Sequence, residues 1–407
     1  MIFVSFWFIA FILVMFPLYW AVRDARLRLT VLAVGCVVFH GHFAGPAGVI
    51  PIVILGVIAY VCGLTRNRAA CVAGMVACVL ALLFYKYTQF LSIQVIGLWS
   101  PEEAQRLYAS AQQYMPPLPP LGISFFVFEF VHYLFEIFRG GVPIRNPLHF
   151  GIFAIFWPSL VAGPIKRYRQ FVPELVNGAK SVGLNNVVMG MVQVSVGLVK
   201  KTMADNLTIW LDLHGPNFEG LGVGWRWVFL VLLAFRILLD FSGYSDMAIG
   251  YARMLGIQLP INFNWPYLAR NISDFWSRWH ISLSTWIRDY IYIPLGGNRY
   301  GAPRRVMNAV IAFGICGLWH GADWNFVLWG LLHGGGLAVS QNYRKVFGPP
   351  GRAVGLAMDR VPLLGWATTF LFVSLGWVYF FYPVATATKM IGLLTWVPLQ
   401  QLFTGTP

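Results

Sequence analysis

The chain returns again and again to apolar runs as long as a bilayer-crossing helix, and basic residues flank many of them. Met1 to Trp20 carries no charge, and Arg23, Arg26 and Arg28 follow directly. Further runs cover Leu29 to Phe43, Val49 to Leu64, Ala69 to Leu98, Val182 to Leu198, Trp225 to Phe241 and Leu363 to Tyr382. A bilayer core needs about 20 predominantly apolar residues in a helix. Backbone groups in lipid must pair internally, which leaves helices or closed barrels. These runs lack the two-residue alternation of barrel strands, so they read as helices. Charged residues make up 11% of the chain, less than half the roughly one quarter of soluble domains. The sequence therefore specifies an all-α, polytopic transmembrane helical bundle. The formal net charge of +14 is the positive bias of cytoplasmic loops, and no nucleic-acid partner is expected.

Taken in order, Met1 to Trp20 lacks a basic n-region and a small-residue cleavage site, so a retained helix is expected, with the N-terminus outside. Gly45-Pro46 and Gly48 mark a turn between two spans. Lys86 is expected to snorkel. Trp99 to Pro120 reads as an external loop with a short surface helix and a stiff end at Pro116, Pro117, Pro119 and Pro120. Glu129, His132 and Glu136 share one face of the next helix. That face suits either inward hydrogen bonding or a metal, and no metal is expected. His149 to Pro164 is too short and too broken by proline to span, so it reads as re-entrant, with Lys166, Arg167 and Arg169 on the cytoplasmic side. Arg236 and Asp240, four residues apart, are expected to pair. Asn271 to Ile293 is amphipathic and suits the interface plane. Thr386 to Phe403 reads as a final helix. Residues 1–407 form one integral-membrane domain with its motif core at 238–334. The five cysteines form no CxxC pair and read as packing residues.

Chemistry concentrates between Arg270 and Gly334. This stretch holds His280, His320 and His333, and two of them follow tryptophan, as Trp279-His280 and Trp319-His320. His320 lies between the apolar runs Ile311 to Leu318 and Phe326 to Leu332. A titratable ring at membrane depth is costly and is usually kept for function, although a hydrogen-bonded core histidine satisfies the same pattern. An imidazole is the side chain suited to removing a proton from a hydroxyl near neutral pH. Asp323 or Asn325 would orient it, and His280 would serve as a second polariser or a donor to a developing oxyanion. Trp279, Trp319, Tyr244, Ser245 and Asp246 are candidates for contact with substrate or the lining of a tunnel. For the Ser-Asp group, interhelical hydrogen bonding is the other role. No GxSxG elbow is present, so direct transfer is simpler than a serine acyl-enzyme.

Two blocks, LLDFSGYSDMAIGYARMLGI from Leu238 to Ile257 and FWSRWHISLSTWIRDYIYIPLGGNR from Phe275 to Arg299, resemble those of the membrane-bound O-acyltransferase family. The likeness is to its bacterial branch, which acylates exported polysaccharides. The GISFFVF start at Gly122 is similar too. The resemblance implies that the histidine of the LWHG motif, His320, is essential, and that His280 is the second. It implies re-entrant and interfacial helices around a central tunnel in the bacterial inner membrane. Through it an acetyl group passes from a cytoplasmic donor, acetyl-coenzyme A, whose phosphates some cytoplasmic basic groups would meet. A membrane-anchored or periplasmic acetyltransferase partner then places the group on alginate or cellulose. The sequence departs from the family after Leu375 to Trp377, where related chains carry an arginine behind an aromatic pair, and it stops soon after Pro398, earlier than many. A transporter or channel of a polysaccharide export system, or a scaffold for one, is the other reading of broken helices with intramembrane polar groups.

Overall fold

The computed structural model describes residues 2–116 and 119–404, with side chains to residue 395. Pro117, in the proline-rich stretch, lies outside the described residues. No strand is present among the described residues. The chain divides into two compact units, Met1–Leu198 with Tyr244–Pro260, and Val199–Gly243 with Ile261–Pro407.

The first unit opens with α1 (Phe6–Ala21), α2 (Ala25–Thr65) and α3 (Arg68–Leu82). The turn expected at Gly45-Pro46 is a break one residue wide inside α2, where Gly45 takes φ of 63°. A side chain is disfavoured in that left-handed region, and glycine is not. After α3 the helix loosens into π turns over Leu83–Tyr87 and Phe90–Val95. The polar α4 (Pro101–Gln112) is the expected short helix of the loop.

Next come α5 (Ile123–Phe138), α6 (Pro147–Ile155) and α7 (Tyr168–Ser181). On α5 the three-residue polar face is committed to protein partners. Glu129 pairs with Lys166 at 2.6 Å, Glu136 pairs with Arg169 at 2.9 Å, and the Tyr168 N–H donates to His132 Nε2 at 3.3 Å. Lys166 is thus not a cytoplasmic surface charge as read from the sequence. It is 1% exposed, with its ammonium 5.5 and 5.6 Å from the Phe153 and Phe171 ring centres. A buried carboxylate one element away outweighs the positional rule, because an unpaired charge there is costly. The helix α6 has nine residues, and Phe156 to Leu160 behind it are buried. Protein therefore covers this irregular backbone, as a non-spanning segment requires.

Two long helices contribute residues to both units: α8 (Leu184–His214) and α9 (Val223–Met254). Most of the apolar run Val182 to Leu198 lies in α8, and the helix continues past Lys200 and Lys201 to His214. Lys201 is neutralised within the second unit by Asp205 and by Asp240, the latter at 2.8 Å. The expected Arg236–Asp240 pair is therefore displaced, and Arg236 Nε donates instead to Thr208 Oγ1 at 3.0 Å.

The second unit continues with α10 (Ile272–Arg278), α11 (Ile281–Ile287), α12 (Gly301–His320), α13 (Trp324–Val346), α14 (Gly348–Arg360), α15 (Pro362–Phe381) and α16 (Val384–Thr404). Tyr267 ties this unit together. Its hydroxyl donates to the Ala234 carbonyl at 2.7 Å, while Trp366 and Trp377 Nε1 donate to its carbonyl and hydroxyl at 2.7 and 2.9 Å.

Five helices among the described residues are long and apolar enough to cross a membrane: Ala25–Thr65, Arg68–Tyr87, Leu184–Gly220, Val223–Met254 and Pro362–Phe381. Their outward faces are apolar, with Val37 61%, Val57 57%, Met191 54% and Leu363 65% exposed. Water does not tolerate a continuous face of this kind, and lipid does. The fold is an all-α polytopic membrane fold.

Candidate functional site

The site is built on a helical hairpin. α12 ends at His320, and α13 starts four residues later. Asp323 is the N-cap, and its Oδ1 accepts the Trp324 N–H at 2.6 Å. Asp323 is thus engaged in satisfying the orphan donors of a helix start. The two helices touch backbone to backbone. A Cβ on Gly317 would lie 2.1 Å from the Phe326 carbonyl oxygen, and one on Gly330 would lie 2.3 Å from that of Phe313. The glycine of CGLWHG, two residues before Trp319, therefore sets how closely α13 can approach the histidine.

His320 is half-buried at the tip, against aromatic rings. Ring centres lie 4.9 Å away at Trp319, 5.2 Å at Trp329 and 5.1 Å at Phe380. The His280 ring is 6.4 Å away, and Trp319 is 6.0 Å from that ring as well. The structure thus brings His320, His280 and Trp319 together. Trp279 is buried in the next layer, 4.8 Å from Trp377. Asn325 is buried, and its Oδ1 has no hydrogen-bond partner among the described residues. Tyr244, Ser245 and Asp246 belong to the first unit, where Tyr244 stacks on Phe3 at 4.7 Å.

His280 comes from a break in the segment expected to be one interfacial helix. α10 stops at Arg278, and His280 takes φ of 44° as the N-cap of α11. A non-glycine residue there is uncommon and strained. One side of the segment is buried, with Phe275, Trp276, Trp279, His280, Leu283 and Trp286 all inside. The buried side packs on α12, α13 and α15, with Trp276 against Phe313 and Trp329 and Trp279 against Trp377. His280 Nδ1 lies 3.3 Å from Asn262 Oδ1, Phe241 meets its ring edge-on at 4.7 Å, and Nε2 has no hydrogen-bond partner among the described residues. Burial, helped by the neighbouring His320 ring, holds its pKa well below the ordinary imidazole range. A neutral ring with a bare nitrogen can accept a proton or a hydrogen bond.

Residues that sequence reasoning did not place in the site are Trp329, Phe380 and Asn262. The run of aromatics in LGWVYFF was the available signal for Phe380. His333, named in the sequence but given no role, is fully buried among Trp276, Trp329 and Phe372 at 5.2, 4.8 and 5.5 Å. Neither of its nitrogens has a hydrogen-bond partner among the described residues.

Two cavities approach the hairpin. One of about 460 Å³ is lined by Ser277, Ser284, Thr285 and Arg288 and reaches Cys316, one turn of α12 before His320. The other, of about 1170 Å³, lies among Arg270, Gly336, Arg344 and Phe372. Ser273 and Gln341 line both, and Gln341 Nε2 donates to Ser273 Oγ at 3.4 Å.

A polytopic helical membrane fold carrying two histidines in an aromatic setting describes the class. The family model for the membrane-bound O-acyltransferases matches residues 141–384, and the chain belongs to that family. It is 39% identical over 265 residues to a probable alginate O-acetylase AlgI of Azotobacter vinelandii, covering 65% of this chain and 51% of the relative. It is 35% identical over 341 residues to a peptidoglycan O-acetyltransferase of Helicobacter pylori, covering 77% and 62%. A teichoic acid D-alanyltransferase of Bacillus subtilis is 29% identical over 223 residues, covering 52% and 56%. The chain spans about half to three fifths of the length of these relatives.

Proposed function

We propose that this chain is a membrane-bound O-acetyltransferase that passes an acetyl group across the inner membrane to an exported polysaccharide. The observation that carries the reading is the His280–His320 pair beside Trp319, at the tip of the α12–α13 hairpin. Acyl transfer to a hydroxyl needs a base for the alcohol proton and a group that stabilises the oxyanion. His320 is the base, and His280 and Asn325 are the neighbouring polar groups. Trp319, which meets both rings, and Trp279 are candidates for lining the path of the acyl group.

The donor is a cytoplasmic acetyl thioester, acetyl-coenzyme A. The basic residues Arg304 and Arg305 open α12, and Arg344 and Lys345 close α13. The positive-inside bias makes that end cytoplasmic. With 20 residues in α12, His320 is then about 30 Å from it along the helix. The cavity reaching Cys316, mostly apolar with Ser277, Ser284 and Thr285 in its wall, supports a route from that side. The acceptor is an exported glycan. The names of two relatives, for alginate and for peptidoglycan, support a hydroxylated polysaccharide, and cellulose rests on the sequence resemblance alone. Partner delivery by a membrane-anchored or periplasmic transferase, an outward N-terminus, a central tunnel and one functional domain over 1–407, with contributions from Tyr244, Ser245 and Asp246, complete the reading.

The test is the acetyl content of surface polymers from cells carrying wild type or His320→Ala at equal membrane levels. Loss of the acetyl groups with intact export supports acyl transfer. Unchanged acetylation in a variant that still assembles favours the transporter or scaffold reading.

A further inference from the structure

The N-terminus of α11 shows how the His280 ring is held. A helix start leaves its first N–H groups without intrahelical partners. The N-cap side chain usually satisfies one of them, but His280, the N-cap here, makes no such bond. Asn262, 18 residues earlier, does this work from outside the helix. Its carbonyl oxygen accepts the Ile281 N–H at 2.9 Å, and its Oδ1 accepts the Ser282 N–H at 3.2 Å. The Ser282 hydroxyl donates to the same Oδ1 at 2.7 Å. The Asn264 N–H then donates to the Arg278 carbonyl at 2.9 Å, which holds the two segments side by side. Asn262 is 1% exposed.

These contacts decide which way the Asn262 amide points. A backbone N–H can only donate, so the atom facing Ser282 must be the oxygen. That oxygen is also the atom facing His280 Nδ1, at 3.3 Å. Two acceptors do not form a hydrogen bond, so Nδ1 must carry the proton. The other ring nitrogen, Nε2, is then bare in the neutral ring, and it is the buried nitrogen with no hydrogen-bond partner among the described residues.

We propose that Asn262 is a positioning residue that fixes His280 as the Nδ1–H tautomer and so presents Nε2 to the reaction as an acceptor. The proposal rests on the reading that His280 takes part in acyl transfer. It reassigns His280 within that reading. In the neutral state Nε2 receives a hydrogen bond from the incoming hydroxyl or from the His320 ring. It does not donate one to an oxyanion unless it first takes up a proton.

Magic-angle-spinning NMR of protein carrying ¹⁵N,¹³C-histidine in lipid nanodiscs reads the tautomer directly. The His280 signals are those that vanish in His280→Ala. Wild type is expected in the Nδ1–H form. Asn262→Ala should move His280 toward the Nε2–H form and lower acetyl transfer about ten- to a hundredfold, the range seen when outer-shell partners of histidine ligands are removed. Asn262→Asp, which keeps an acceptor oxygen facing Nδ1, should hold the Nδ1–H form and restore most of the transfer. A wild-type ring in the Nε2–H form overturns the proposal without any variant needing to fold. So does a folded Asn262→Ala protein with an unchanged tautomer. Full transfer by His280→Ala would remove the catalytic reading while leaving the tautomer assignment standing, so the two failures are separable.

Discussion

The rings of His280 and His320 lie 6.4 Å apart, centre to centre, and Trp319 meets both, at 6.0 and 4.9 Å. That spacing puts the two imidazoles close enough to act on one group. His320→Ala and His280→Ala should each lower acetyl transfer by about 10²- to 10⁴-fold, the usual scale of a positioned acid or base. The double variant should fall little further, because groups acting as a unit lose their joint effect once. Initial rates of acetylation by the two single variants and the double variant check this. A double variant whose loss is the product of the single losses would show two separate roles.

The contact between Gly317 and Gly330 makes a second prediction. An added methyl at either would sit within 2.1 or 2.3 Å of a carbonyl oxygen. Backbone cannot yield as a side-chain end can, so α12 and α13 would have to move apart. Gly317→Ala and Gly330→Ala should each destabilise by about 1–3 kcal/mol, the ordinary cost of overpacking. Both should also displace His320 and reduce transfer. Gly314→Ala is the matched control, since its nearest neighbour there is the Leu331 side chain at 3.5 Å. Thermal unfolding in nanodiscs should show the first two variants lowered and the third near wild type.

The histidines and the long apolar helices were legible because both are local signals: a hydropathy run, and a titratable residue inside one. What the sequence hid was decided by partners distant in the chain. Arg236 and Asp240 have ideal spacing for a pair, but Thr208 and Lys201 on the preceding helix claim them. Lys166 looks like one more charge in a basic cluster until Glu129, 37 residues earlier, takes it into the interior. The Asn271 to Ile293 segment has a helical pattern, and only the cap supplied by Asn262 shows why it breaks at His280. Phe380 and Trp329 carry no mark in one sequence that separates a ring lining a site from a ring filling a core.

Lys166 and Glu129 give a third prediction. Both are nearly fully buried and 2.6 Å apart. Removing one partner strands a charge, at a cost of about 3–5 kcal/mol, whereas replacing both with apolar or neutral groups of similar size is often tolerated. Lys166→Met should therefore lower thermal stability sharply, and Lys166→Met with Glu129→Gln should recover most of it. Equal stability for the single and double variants in detergent or nanodiscs would mean that the pair contributes through something other than mutual neutralisation.

Cys316 supplies the last prediction, because it separates two mechanisms that share one geometry. It is one turn before His320 and lines the cavity of about 460 Å³. A thiol there would be well placed to carry an acyl group. It is also 1% exposed, and buried thiols usually behave as small hydrophobes. With direct transfer, Cys316→Ala should keep at least about half of the wild-type rate, since it removes one small atom from a buried wall. Cys316→Phe puts a ring into the cavity and should stop transfer if the donor's acyl end arrives by that route. Unfolding temperatures distinguish a blocked cavity from a protein that no longer packs. Complete loss in Cys316→Ala, with an acetylated Cys316 peptide trapped in wild type by mass spectrometry, would instead establish a covalent acyl-cysteine. His320 would then activate the thiol as well as the alcohol.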